Sequence, residues 1–153
     1  MKALVVYDSV FGNTEKVAQS IGQALSVQAK VQTLRVGDVK PEHLAGLDAL
    51  VVGSPTRAFS PTPAIKDWLR SLPSSALTGV KVTAFDTRMN PKEVGSAILT
   101  VMVNIFGYAA KPIGDKLVKK GGMLSVAPEG FVVEGKEGPL RKGELERAAN
   151  WAR

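Results

Sequence analysis

The chain has 153 residues, the size of one domain, and its 44% hydrophobic and 22% charged residues exclude an intrinsically disordered chain. It has no cysteine, which excludes disulfides, thiolate metal sites and a thiol nucleophile together. Twenty Lys and Arg against fourteen Asp and Glu leave a formal charge of +6, a basic balance that steers anionic partners.

The apolar start Ala3-Leu4-Val5-Val6 is too short for a signal peptide and meets Asp8 at once. The longest apolar stretch, Ala97 to Phe106, is interrupted by Thr100 and Asn104 and is too short to span a bilayer. A cytoplasmic protein is expected, with neither nucleic acid nor a membrane as partner. The basic cluster Lys116, Lys119 and Lys120 falls in a helical last turn, where the helix dipole favours cations anyway.

Ala3 to Tyr7 reads as a strand buried on both faces. Asn13 to Leu25 carries Val17, Ala18, Ile21, Ala24 and Leu25 in a helical stripe. Lys30 to Val36 and Leu47 to Gly53 read as strands, with a turn at Pro41-Glu42-His43 between them. Thr62 to Leu72 reads as a helix: Thr62 as N-cap, Pro63 in the first position, then Ile65, Trp68, Leu69 and Leu72 on one face. Val80 to Asp86 is the fourth strand. Ala110 to Lys120 is a helix stopped by Gly121. Met123 to Ala127 is a fifth strand, resumed at Phe131 to Glu134, and Leu145, Ala148, Ala149 and Ala152 mark a last helix.

Strands alternating with helices predict an open parallel sheet with helices on both faces. Ligands of such a fold bind outside the carboxyl ends of the strands. That rule selects the loops Asp8 to Thr14, Ser54 to Ser60 and Asp86 to Pro91. The first reads Ser9-Val10-Phe11-Gly12-Asn13-Thr14 and runs straight into a helix. Its hydroxyls, its amide, a turn-forming glycine and the unpaired N–H groups of a helix start suit a phosphate. An ordinary strand-to-helix turn capped by Asn13 or Thr14 would use the same residues. No lysine follows Gly12, which argues against nucleoside triphosphate hydrolysis, and the loop is not GxGxxG.

Residues 9 to 14 resemble the Ser/Thr-x-x-Gly-x-Thr phosphate loop of the flavodoxin family, and Val51-Val52-Gly53-Ser54-Pro55-Thr56 resembles its third strand and first flavin loop. Gly130 to Gly135 with Leu145 to Trp151 is similar to its split fifth strand and closing helix, as in the short-chain branch. The resemblance implies one flavodoxin-like α/β domain over 1–153. It would be a three-layer sandwich around a five-stranded parallel sheet of order 2-1-3-4-5. It implies flavin mononucleotide (FMN) as cofactor. The first loop ends in a helix cap and leaves no obvious place for a second phosphate or adenine, so FAD is not expected to bind tightly. Ser9, Val10, Phe11, Gly12, Asn13 and Thr14 would hold the phosphate. Ser54, Pro55, Thr56, Arg57, Ala58 and Phe59 would lie along the ribityl chain and ring, and Asp86, Thr87, Arg88 and Met89 would form the second flavin loop.

The chain departs from the family where electron carriers place aromatic residues against the ring. Arg57 stands at the first such position, with Phe59 two residues on, and Asp86-Thr87-Arg88-Met89 has no aromatic. A cation beside the ring stabilises a reduced anionic flavin. Lys92 to Tyr108 is longer than the usual link into the next helix and apolar nearly all round. It serves the core, lids the flavin, or forms a homodimer through 95–108.

The function implied is an FMN-binding electron carrier serving redox protein partners. The alternatives are an FMN-dependent NAD(P)H:quinone-type oxidoreductase with a small quinone-like acceptor, and an interaction module that has lost FMN. No side chain is expected to be catalytic and no metal site is expected, since the flavin supplies the chemistry. His43, the sole histidine, lies away from the three loops. A response-regulator receiver is rejected, because Ser54 stands where it needs an Asp.

Overall fold

Continuous apolar runs become central strands here because both of their faces are covered. The structure is a computed structural model that describes residues 1–57, 60–89, 108–135 and 137–152. The strands are β1 (Lys2–Tyr7), β2 (Lys30–Arg35), β3 (Ala49–Pro55), β4 (Lys81–Met89), β5 (Met123–Leu124) and β6 (Glu129–Val133). The helices are α1 (Asn13–Leu25), α2 (Pro41–Leu44), α3 (Pro63–Ser71), α4 (Ala110–Lys119) and α5 (Glu144–Ala152). The sheet is parallel in the order β2-β1-β3-β4-β5, with β6 also paired to β4. The order 2-1-3-4-5 is therefore as expected, and its fifth position is shared by two short strands.

Alternating side chains feed two cores, one on each face of the sheet. Leu4, Val6, Leu50, Val52 and Val82 pack with Ile65 and Leu69 of α3 and Ile113 and Leu117 of α4. Val5, Tyr7, Val51, Phe85 and Phe131 pack with Val17 and Ile21 of α1 and Ala148 of α5. Phe85, Phe131 and Trp151 meet edge to face, with ring centroids 5.8 to 6.4 Å apart. Gly53 makes room for this cluster: a Cβ there would stand 2.0 Å from the Phe85 ring.

The helix boundaries follow local signals. Thr62 accepts the Ile65 N–H at 3.4 Å as the N-cap of α3, and Pro63 opens the helix. The Pro41–His43 turn is a one-turn helix, in which His43 Nδ1 accepts the Lys40 N–H at 2.9 Å. The expected strand ends need correction. β4 does not stop at Asp86 but continues to Met89, so Asp86, Thr87, Arg88 and Met89 are strand residues and not a loop. The cause is pairing on both sides: Thr87 is in register with Pro55 of β3 and Phe131 of β6. β3 begins at Ala49 and takes in Ser54 and Pro55 for the same reason. The run Met123 to Ala127 keeps only Met123–Leu124 as strand, and pairing resumes at Glu129.

Ala58, Phe59, Asn90, Pro91 and nearly all of the Lys92 to Tyr108 stretch lie outside the described residues, and with them the lid and homodimer readings of 95–108. Among the described residues no helix is long and apolar enough to cross a membrane.

Candidate functional site

The carboxyl ends of β1, β3 and β4 open into one cavity of about 330 Å³. Val10, Phe11, Asn13 and Thr14 line it from the first loop, Pro55, Thr56 and Arg57 from the second, and Thr87, Arg88 and Met89 from the end of β4. Val133 of β6 completes the lining, a residue that the sequence reading did not single out. A size of ~300–1,000 Å³ and mainly apolar walls with a few placed polar groups are usual for small-molecule sites. The described lining carries the guanidinium groups of Arg57 and Arg88 and no carboxylate or histidine. Arg88 is offset by the buried Asp86 behind it, so Arg57 is the cation offered to an anionic ligand. Among the described residues no cluster of acids or histidines could hold a metal.

The first loop is built as an acceptor-binding nest. Gly12 sits at φ 93° at the start of α1, a left-handed conformation that other residues rarely adopt. That turn directs main-chain amides inward. Ser9 Oγ accepts the Gly12 N–H at 3.0 Å and the Glu15 N–H at 3.4 Å. Amides that converge on one oxygen, at the positive end of a thirteen-residue helix, are what a phosphate requires. The loop's base is fixed by Arg35, whose Nη1 donates to Ser9 O at 3.0 Å and to Asp8 Oδ1 at 3.4 Å. Its Nη2 lies 3.6 Å from a Glu15 oxygen. Register explains how Arg35 arrives there, because it is paired with Tyr7 at the end of β1. Burial, with Glu15 adding to it, pushes the Tyr7 hydroxyl up.

Thr14 is buried, and its hydroxyl lies 2.8 Å from the Thr87 hydroxyl, joining α1 to the end of β4. Asn13 Nδ2 donates to Glu137 O at 2.9 Å, which ties the loop after β6 to the same corner. Ser54 does not line the cavity. Its buried hydroxyl accepts the Thr62 N–H at 3.0 Å and donates to Pro55 O at 2.9 Å, so it shapes the second loop from below. Ser9 and Gly12 likewise form the frame and are not in the lining.

Asp86 is fully buried and its carboxylate is committed. Arg88 grips it with Nε and Nη2, both at 2.7 Å, and the Ala110 N–H at the start of α4 donates at 2.9 Å. Burial pushes the Asp86 carboxyl upward, against the pull of Arg88 and of the Ala110 N–H. The Arg88 guanidinium also lies 3.6 Å from the Tyr108 ring centroid and crosses Gly130, where no Cβ would fit. Tyr108 is half-buried, and burial raises its hydroxyl as well. Arg88, placed by the sequence reading in the second flavin loop, is therefore a cation anchored on Asp86 at the end of β4.

Arg57 is the exposed cation at the mouth. Its N–H and carbonyl bond with Ser60 at 2.8 and 3.0 Å, and its guanidinium lies 5.9 Å from the Phe11 ring centroid. Arg57 has no carboxylate partner among the described residues. Phe11 and Val10 are 43% and 50% exposed, so the rim is apolar as well as basic.

Solved structures show the same fold. Oxidised flavodoxin 1 from Bacillus cereus superposes with a TM-score of 0.77 at 16% identity, over 99% of this chain and 95% of that one. Oxidised flavodoxin 2 from Bacillus cereus gives 0.71 at 24% identity, over 99% and 95%. Rubredoxin oxygen:oxidoreductase from Desulfovibrio gigas gives 0.74 at 18% identity, over 99% of this chain and 34% of that one. Among curated proteins no match was found. Residues 4–104 match the family model described as the flavodoxin domain, and with this sheet order the chain belongs to the flavodoxin family.

Proposed function

We propose that the chain is a single FMN-binding domain that carries electrons between redox protein partners. The observation that carries this reading is the junction of the Ser9–Thr14 nest with the cavity at the ends of β1, β3 and β4. The nest suits the FMN phosphate, held by the first-turn amides of α1 with the Thr14 hydroxyl and the Asn13 amide. Pro55, Thr56, Arg57, Thr87 and Met89 offer the walls for the flavin. Bound there, the flavin supplies the redox chemistry. The protein binds it and sets its electrostatics. No described lining residue is a carboxylate or histidine that would serve as acid or base, and none is needed where the flavin supplies the chemistry. Arg57, which has no carboxylate partner among the described residues, favours the second reading, an FMN-dependent NAD(P)H:quinone-type oxidoreductase, because a cation at the ring lowers the cost of anionic reduced flavin. A cytoplasmic setting fits a chain without cysteine.

Calorimetric titration of the apoprotein with FMN, riboflavin and FAD tests the proposal. FMN should bind far more tightly than riboflavin or FAD. Equal affinity for FMN and riboflavin would remove the phosphate site, and no binding of any flavin would leave the interaction-module reading. Steady-state oxidation of NAD(P)H with a quinone separates carrier from oxidoreductase, and the carrier should show no turnover.

A further inference from the structure

The charge of +6 is unevenly placed on the fold. Because every strand is parallel, all amino ends share one pole, opposite the cavity. Register sets Lys2 beside Lys30 there, and Lys81 beside Met123. α4 ends at the same pole, where Lys119 and Lys120 precede the turn into Met123. Strands lie ~4.8 Å apart, so the lysines span a face roughly 15–20 Å wide. Lys30, Lys81 and Lys119 are exposed. Lys2 and Lys120 donate to the carbonyls of Ala45 and Leu72, both at 2.6 Å. None of the five has a carboxylate partner for its ammonium group among the described residues. In the segments 1–2, 26–30, 45–49, 78–81 and 118–123 the sole acid is Asp48.

Exposed aliphatic side chains interleave with these lysines. Val27 is 84% exposed, Met1 65%, Met123 59% and Val118 47%. Lys30 N–H donates to Met1 O at 2.9 Å, and Val118 immediately precedes Lys119. These segments contain no arginine and no aromatic residue, and the one arginine in the last turn of α3 beside them, Arg70, is paired with Asp67 at 3.2 Å. Protein interfaces are enriched in Arg and aromatics and depleted in Lys, and nucleic-acid surfaces favour Arg and stacking rings. Lysines around solvent-facing aliphatic groups match the third class of polyanion, an anionic lipid surface.

We propose that this pole adsorbs to anionic lipid headgroups, with Val27 and Met1 entering the interface and the cavity turned toward water. The lack of a spanning helix among the described residues does not bear on adsorption, which needs only a face. The inference is independent of what the cavity holds.

Sedimentation with phosphatidylcholine vesicles, with and without phosphatidylglycerol, tests it on the full chain. Binding should require phosphatidylglycerol. It should vanish as salt rises from about 0.1 M to about 1 M and the Debye length falls from about 10 Å to about 3 Å. The triple variant Lys30→Gln, Lys81→Gln, Lys119→Gln should bind on the order of 100-fold more weakly, about fivefold for each lysine. The matched triple variant Lys40→Gln, Lys66→Gln, Lys142→Gln, outside the pole, should bind as the parent does. Val27→Ser with Val118→Ser should weaken binding severalfold at unchanged salt slope. No binding to the mixed vesicles, or equal weakening by the two triple variants, overturns the proposal. Binding of duplex DNA in place of vesicles, indifferent to Val27→Ser, also overturns it and makes the pole a nucleic-acid surface.

Discussion

At the scale of single residues, the hydroxyl of Thr14 has two claims on it. It is paired with Thr87 in a buried contact at 2.8 Å and stands at the first turn of α1, where a phosphate would lie. Thr14→Ala should therefore weaken FMN by about 1.5–3 kcal/mol, one charge-assisted hydrogen bond, and leave riboflavin nearly unchanged. Thr14→Ser should retain most of the difference. Calorimetry on the three proteins reads both numbers, and a parallel loss for riboflavin would mean that Thr14 only supports the fold. Glu144 gives a prediction that does not depend on the ligand. Arg147 grips its carboxylate at 2.8 Å through Nε and Nη2, and the Val132 N–H donates at 2.7 Å. The Arg147 guanidinium, with help from that N–H, holds the carboxyl below the usual glutamate range, against the effect of burial. A group depressed in the folded state contributes stability above its unfolded-state value, and that stability is lost as pH falls through the folded value. Glu144→Gln should cost about 1–2 kcal/mol at neutral pH and flatten the acid limb of stability against pH. Urea titrations from pH 7 downward measure it, and an unchanged acid limb would sink the assignment.

At the scale of elements, the parts written in local signals were legible and the parts set by distant partners were not. Asn13–Leu25 is the helix that the stripe of Val17, Ala18 and Ile21 predicts, and Thr62 caps α3 as its type and place suggest. The turn at Gly12 into α1 was readable for the same reason: a strand end, a glycine and a helix start are adjacent in sequence. The end of β4 was not, because Thr87 and Met89 are strand only through Pro55, Phe131 and Val133 on other segments. The commitment of Arg88 to Asp86 follows from that error, since residues two apart share a face in a strand and need not do so in a loop. Arg35 was missed although parallel register alone brings the end of β2 to the end of β1. The pairing of β3 with β4 also yields a test. A Cβ on Gly53 would meet the Phe85 ring at 2.0 Å. Gly53→Ala should destabilise the protein by about 1–3 kcal/mol through overpacking. Combining it with Phe85→Leu should cost less than the sum of the two single changes. Strict additivity in denaturant unfolding would show that the ring moves aside freely.

At the scale of the whole molecule, net charge and local charge make different demands, and the fold separates them. The lysines of the amino-end pole lie about 20 Å from the cavity, the length of a six-residue strand such as β1. At physiological salt the Debye length is about 8 Å, so those lysines are more than two screening lengths from the mouth. Arg57 stands at the mouth itself, 5.9 Å from Phe11. An anionic oxidant approaching FMN bound in the cavity should therefore respond to Arg57 and hardly to the pole. Stopped-flow oxidation of the reduced holoprotein by ferricyanide at about 0.15 M salt measures this. Arg57→Gln, which removes one charge, should slow the reaction severalfold. The triple variant Lys30→Gln, Lys81→Gln, Lys119→Gln removes three and should change it by less than Arg57→Gln does. At about 0.01 M salt the Debye length reaches about 30 Å, and the triple variant should then slow the reaction visibly. If instead the rate follows net charge at both salts, with the triple variant always the slower, the cavity is steered by the overall +6 and Arg57 has no special place at its mouth.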